Sequence, residues 1–188
     1  MKLKRSKITN LIFIALIALM IIPQTRQPIQ VFLNKGLALI SPSVVKEAKR
    51  ESIQDYSWKL VDIKGEPVDF NQSRNKVVLV NFWATWCPPC IAEMPSLQEL
   101  YEDYKDQVDF YFVSNEKEGV LKSFMDKNGY DFNVQIPKTE YPEVFDVSSI
   151  PRTFLIDRSG SIVMDKAGAA NWNGKKVRET IEVLLKDF

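Results

Sequence analysis

Cys87 and Cys90 are the only cysteines in the chain, and they stand two residues apart in the stretch NFWATWCPPC. Such a pair can supply half of a metal site, staple the chain, or exchange disulfides. The 188 residues include no histidine, which removes imidazole bases, Cys–His catalytic pairs and histidine metal ligands, and with them C-x-x-C-H haem attachment. A structural zinc needs about four ligands, mostly Cys or His, and two cysteines cannot fill it. A staple is poor use of the pair, because so small a loop removes little entropy from the unfolded chain. Disulfide exchange is the reading that motif and spacing favour. Two thiolates can also hold Cu(I), so a metal-delivery module stays open, although no methionine-rich motif supports it.

The surrounding elements sharpen this. KVVLVNFW is a continuous apolar, β-branched run, predicted as a central strand buried on both faces. Behind it, Met94, Leu97, Tyr101 and Tyr104 share one face of a predicted helix, with Pro95 inside it as a kinking residue. Cys87 then falls just past the C-terminal end of a strand, where α/β sheets place their chemistry. Pro88 and Pro89 suit the first helical positions, whose N–H groups have no intrahelical partner. The free amides and the helix dipole favour a thiolate at Cys87. Cys87 is therefore expected to be the exposed attacking sulfur, and Cys90, one turn further in, the more buried resolving sulfur.

The rest of the chain reads as alternating strands and helices. YSWKLVDIKGEPVDF turns at Lys64-Gly65 as a hairpin-like start. VDFYFVS is the next strand. Asn115 and Glu118 offer a capping box for a helix carrying Val120, Leu121, Phe124 and Met125. NVQIP is a short strand, and IPRTFLID and SIVMDKAG form a hairpin through DRSG. Val177, Ile181, Leu184 and Phe188 mark one face of a last helix. The order β-α-β-α-β, then β-β-α, predicts an α/β fold with a mixed sheet flanked by helices.

Residues 55–188 make up this domain. Residues 1–23 hold a basic start, MKLKRSK, followed by an apolar run from Leu11 to Ile22. The run is short for a spanning helix, but its end, MIIPQTRQ, offers no small-residue cleavage site, which favours a membrane anchor over a cleaved signal. Lys2, Lys4, Arg5 and Lys7 would keep the N-terminus in the cytoplasm and place the domain outside it. In residues 24–54, Ile29, Phe32, Leu33, Leu37 and Ile40 fall on one helical face, as in a helix lying in a membrane surface or packing on a partner's membrane helix. SPSVVKEAKRESIQ then reads as a polar linker or stalk. The net charge of +1, with both signs mixed along the chain, gives no nucleic-acid footprint.

VVLVNFWATWCPPCIAEMPSL, with SIPRTFLIDRSGSIV about sixty residues on, resembles the TlpA/ResA-type thiol-disulfide oxidoreductases of the thioredoxin superfamily. The resemblance covers Tyr56 to the C-terminus. It rests on W-C-x-x-C at a strand–helix junction, a Glu three residues and a Pro five residues after the second cysteine, and I-P-x-T before the last hairpin. It implies a thioredoxin-like fold, a bacterial envelope location and Cys87–Cys90 as the redox pair, with no cofactor or metal beyond that disulfide. Pro151 would be a cis-proline facing the sulfurs, turning the Ile150–Pro151 backbone toward a substrate. Trp86 would form part of the docking surface and Trp83 would pack in the core. Glu93 would tune a sulfur or relay a proton, or else be a solvated first-turn acid. Asn81 stands where thioredoxins carry a buried Asp, and Arg152 where a smaller residue is common. The implied partners are disulfides of exported proteins, apocytochrome c among them, and a membrane electron donor. A disulfide-forming oxidase remains the alternative within this class.

Overall fold

The computed structural model describes residues 5–186; Lys2, Lys4 and Phe188 lie outside them. Two helices come first, α1 (Arg5–Ile21) and α2 (Pro23–Leu37). The domain then runs β1 (Lys59–Asp62), β2 (Pro67–Asp69), β3 (Val77–Phe82), α3 (Pro88–Tyr104), β4 (Val108–Val113), α4 (Glu118–Asn128), β5 (Val134–Pro137), β6 (Arg152–Ile156), β7 (Ile162–Ala167) and α5 (Lys175–Lys186). The seven strands form one sheet in the order β2-β1-β5-β4-β3-β6-β7. The β3–β4 and β4–β5 pairs are parallel, and the others antiparallel. This is the mixed sheet that the strand order predicts.

The central strand is buried along its whole length, as expected of a run apolar on both sides. Its residues alternate between two cores. Val77 and Leu79 join Val108, Phe110 and Phe112 beneath the buried faces of α3, α4 and α5. Val78, Val80 and Phe82 face the other way, onto an aromatic layer of Tyr56, Trp58, Phe70, Phe145 and Phe154. These rings meet at centroid distances of 5.0–6.2 Å, many of them edge to face, the geometry that aromatic quadrupoles favour.

Segment 41–54 differs from the stalk expected of its polar sequence. It lies along β7, the outermost strand. Val45 N donates to Val163 O at 2.8 Å, Ile162 N to Glu51 O at 2.8 Å and Ile53 N to Gly160 O at 2.9 Å. An edge strand carries a row of unpaired backbone groups, and this segment satisfies those of Ile162 N and Val163 O at the start of β7. Gly160 permits it: its φ is +85°, and a Cβ there would come within 2.6 Å of Tyr56 Oη.

The helix ends show further differences. The N-cap of α4 is Lys117, without a side-chain cap, and not Asn115; Val120 is exposed while Leu121 and Met125 are buried. Among the described residues, no helix is long and apolar enough to cross a membrane. Helix α1 has 17 residues, and at about 1.5 Å per residue it falls short of a hydrocarbon core of about 30 Å.

Candidate active site

The chain leaves β3 at Phe82, passes through Trp83-Ala84-Thr85-Trp86 and enters α3 at Pro88. Cys87 is the N-cap residue, with φ −92° and ψ 105°. Pro88 and Pro89 take the first two helical positions, as expected, so the first free amide belongs to Cys90. It donates to Cys87 Sγ at 3.3 Å, and the sulfur does the work that a serine oxygen does at other N-caps. Cys87 and Cys90 form a disulfide, with Cα atoms 5.3 Å apart.

Cys87 is not the exposed sulfur that its position suggests. It is 3% exposed and Cys90 1%, because both lie in the main core with Trp83 and Ala84. Trp86 stands out from the surface at 65%. Beside it opens a cleft of about 350 Å³, lined by Trp86, Ala84, Glu116, Tyr141, Val147 and Ile150. The Ile150–Pro151 bond is cis, Pro151 is buried, and its carbonyl accepts from Gly168 N at 2.9 Å. Trp83 packs in the core against Phe124, with ring centroids 5.4 Å apart. Arg152 is tied to Asp165, Nε to Oδ1 at 2.6 Å and Nη2 to Oδ2 at 2.6 Å. It is a braced cross-strand residue rather than a free cation beside Pro151.

Thr85 is held from two sides. Its N–H donates to Glu116 Oε2 at 2.6 Å and its hydroxyl to Glu116 Oε1 at 2.7 Å. Its carbonyl accepts from Gln27 Nε2 of α2 at 3.1 Å. Charge-assisted bonds of this kind are about twice as strong as neutral ones, so they fix the loop that delivers Trp86 and Cys87. Nothing in the local sequence marks Glu116 for this role.

Glu93 lies one turn beyond Cys90 on the same helical face. It is 1% exposed, which rules out a solvated first-turn acid. Oε1 accepts from Asn81 Nδ2 at 2.9 Å; Oε2 accepts from Ala170 N at 3.1 Å and from Trp172 Nε1 at 3.3 Å. Asn81 Nδ2 also donates to Thr153 Oγ1 at 2.7 Å, and Asn81 Oδ1 is buried without a partner. Burial pushes the Glu93 carboxyl up to about 8, against the three donors and the more distant Lys166 charge, which pull the other way. A protonatable carboxyl thus sits buried one turn of α3 beyond Cys90.

A sheet of this order, with a disulfide at the N-cap of the helix after its central strand, defines a thioredoxin-type redox protein. The redoxin family model matches residues 48–184. ResA, the thiol-disulfide oxidoreductase of Halalkalibacterium halodurans, is 33% identical over 138 residues, covering 72% of this chain and 77% of that protein. The thioredoxin-like protein YneN of Bacillus subtilis is 35% identical over 117 residues, 60% of this chain and 69% of that one. A Chlorobium tepidum structure assigned as the thiol:disulfide interchange protein DsbE superposes with a TM-score of 0.60 at 25% identity, covering 72% of this chain and 98% of that one. The chain belongs to the redoxin family, as a thiol-disulfide oxidoreductase of the ResA/TlpA kind.

Proposed function

We propose that the protein reduces disulfides of exported proteins, with Cys87 as the attacking and Cys90 as the resolving sulfur. The observation that carries this is the Cys87–Cys90 disulfide at the α3 N-cap, directly after exposed Trp86 and its cleft, with buried Glu93 one turn further along α3. In the reduced protein, the Cys90 amide and the α3 dipole favour negative charge on Cys87 Sγ. That thiolate attacks one sulfur of the substrate disulfide and expels the other as a thiolate. The mixed disulfide is resolved when Cys90 attacks Cys87 Sγ, releasing the second substrate thiol and forming Cys87–Cys90. Two electrons pass to the substrate. Cys90 must lose its proton for this step. Glu93, pushed up to about 8 and one turn along α3 from Cys90, takes that proton as its carboxylate and returns it when a donor re-reduces the pair. Asn81 cannot ionise, which leaves this duty to Glu93. Trp86 and Ile150 supply the apolar walls that the substrate segment meets.

The same reading has the domain outside the cytoplasmic membrane, attached by residues 1–23 with the N-terminus inside. Apolar side chains on all sides of α1 support this: Leu11, Phe13, Ile14 and Ile21 are 58–72% exposed, and the basic stretch MKLKRSK precedes or begins the helix. Electrons then come from a membrane donor, and apocytochrome c before haem attachment is one substrate of the right chemistry.

The deciding measurement is the equilibrium reduction potential of Cys87–Cys90. A value near about −270 mV supports a reductase. A value near about −120 mV would reassign the protein as a disulfide-forming oxidase. Stoichiometric Cu(I) binding without disulfide turnover would favour delivery of copper instead.

A further inference from the structure

Helix α2 lies outside the redoxin match, which begins at residue 48, yet it is fixed to the domain at both ends. Near its start, Gln27 Nε2 holds the Thr85 carbonyl in the active-site loop. Just after its end, the Ile40 carbonyl accepts from Asn171 N at 2.9 Å, and the chain continues onto β7. Between these points the helix packs on α3, and Gln27 and Val31 line a groove with Thr85, Ile91 and Phe124. At 100° per residue, Gln27, Val31 and Asn34 share this inner side and Leu33 and Gly36 lie opposite, while Phe32 forms the rim, lining the groove along one edge and exposed along the other.

The outer side is apolar and bare. Phe32 is 75% exposed and Leu33 66%, and Leu39 and Ile40 continue the patch at 76% and 64%. It follows directly on α1, whose apolar side chains are also exposed. Between α1 and Glu47, the first acidic residue of the chain, the charged residues are Arg26, Lys35 and Lys46, all basic. An exposed apolar segment whose own charges are all basic matches an anionic lipid surface, where the apolar residues enter the acyl boundary and the bases meet phosphates.

We infer that Phe32, Leu33, Leu39 and Ile40 rest in an anionic bilayer surface, and that α2, pinned to Thr85 and Asn171, thereby holds the Trp86–Cys87 end of the domain at that surface. The inference rests on the membrane attachment proposed above and goes further. Attachment by α1 alone would leave the domain free to turn, whereas a docked α2 gives it one orientation. The partners it fits are protein segments presented close to the bilayer.

The test uses the full chain in its disulfide form, in which Cys87 and Cys90 are bonded and no other cysteine exists. Single substitutions Phe32→Cys, Ile14→Cys and Lys64→Cys each accept one maleimide-linked NBD label. The labelled proteins are reconstituted into phosphatidylglycerol–phosphatidylcholine vesicles with brominated acyl chains. The expected result is strong quenching at positions 14 and 32, several-fold above that at 64, on the β1–β2 turn, with quenching at 32 weakening when phosphatidylglycerol is omitted. Quenching at 14 but not at 32 overturns this inference and leaves the attachment standing. A label at 32 shielded from water yet unquenched by the lipid also overturns it, and points to a protein or a second copy on that face. Absence of quenching at both 14 and 32 overturns the attachment itself.

Discussion

Two chambers sit on either side of the first turns of α3, and they differ in nearly everything. On one side the loop that leads into the disulfide borders a cleft of about 350 Å³, lined by Trp86, which is two-thirds exposed. On the other, Asn81, Thr153 and Trp172 enclose Glu93, and none of them is more than 1% exposed. The first has aromatic and aliphatic walls, with Ser114, Asn115 and the Glu116 carboxylate along one side. The second has an ionisable carboxyl with three donors and no solvent. The difference teaches a division of labour. Electrons must be exchanged with a large partner, so they pass where a partner can reach. In the proposed mechanism protons need only a buried neighbour, and burial keeps Glu93 protonatable by pushing it to about 8.

The cleft side is the one to break first. Cys87→Ser removes the attacking sulfur and is expected to abolish disulfide turnover, as measured by reduction of a protein disulfide coupled to a dithiol donor. Cys90→Ser leaves attack intact and blocks resolution, so the protein should accumulate as a mixed disulfide, visible as a mass adduct that dithiothreitol removes. Equal, complete inactivity without an adduct in both variants would erase the distinction between the two sulfurs.

The carboxyl side should give a smaller effect with a different signature. Glu93→Gln keeps the shape and removes the titration. Turnover is expected to fall about 100-fold, the usual scale of general acid–base catalysis, and to lack the rise expected of wild type as pH passes about 8. An unchanged pH profile would remove Glu93 from proton transfer.

The same group should mark stability. Its folded value of about 8 lies above the ordinary 4.5, so between those pH values the folded state keeps a proton that the unfolded chain has lost. Stability therefore falls as pH rises from about 4.5 to about 8, by up to about 1 kcal/mol per pH unit from this group alone. Urea unfolding of wild type and Glu93→Gln across that range checks it. The variant should show the shallower slope, and equal slopes would mean that Glu93 is not desolvated as described.

Trp172→Phe should give the smallest change. It deletes one 3.3 Å donor to Glu93 Oε2 and keeps most of the ring's burial. The inflection near pH 8 should move upward by a fraction of a unit, because a donor that favours the carboxylate is lost. A downward shift would contradict the hydrogen-bond reading.

Much of this was legible in the residues. The strand β3, the helix start at Pro88, the hairpins and the buried stripe of α5 all follow from periodicity and turn chemistry, which are local. Asn81 and Glu93 could each be singled out, one as a replaced acid and the other by its spacing from Cys90. That they bond to one another was not legible, nor that Ala170 and Trp172 complete the enclosure, 77 and 79 residues along the chain from Glu93.

The sequence by itself determined the chemistry: two cysteines at a strand–helix junction, no histidine to compete with them, and an apolar run from Leu11 to Ile22. Tertiary structure alone decided the environment. It buried Cys87 in the core when its place at a helix end suggested exposure. It drew Glu116 and Gln27 onto Thr85, and it laid residues 41–54 along β7. Each of these depends on surfaces brought together from distant parts of the chain. Desolvation and hydrogen bonding act through that proximity in space, and spacing along the chain does not record it.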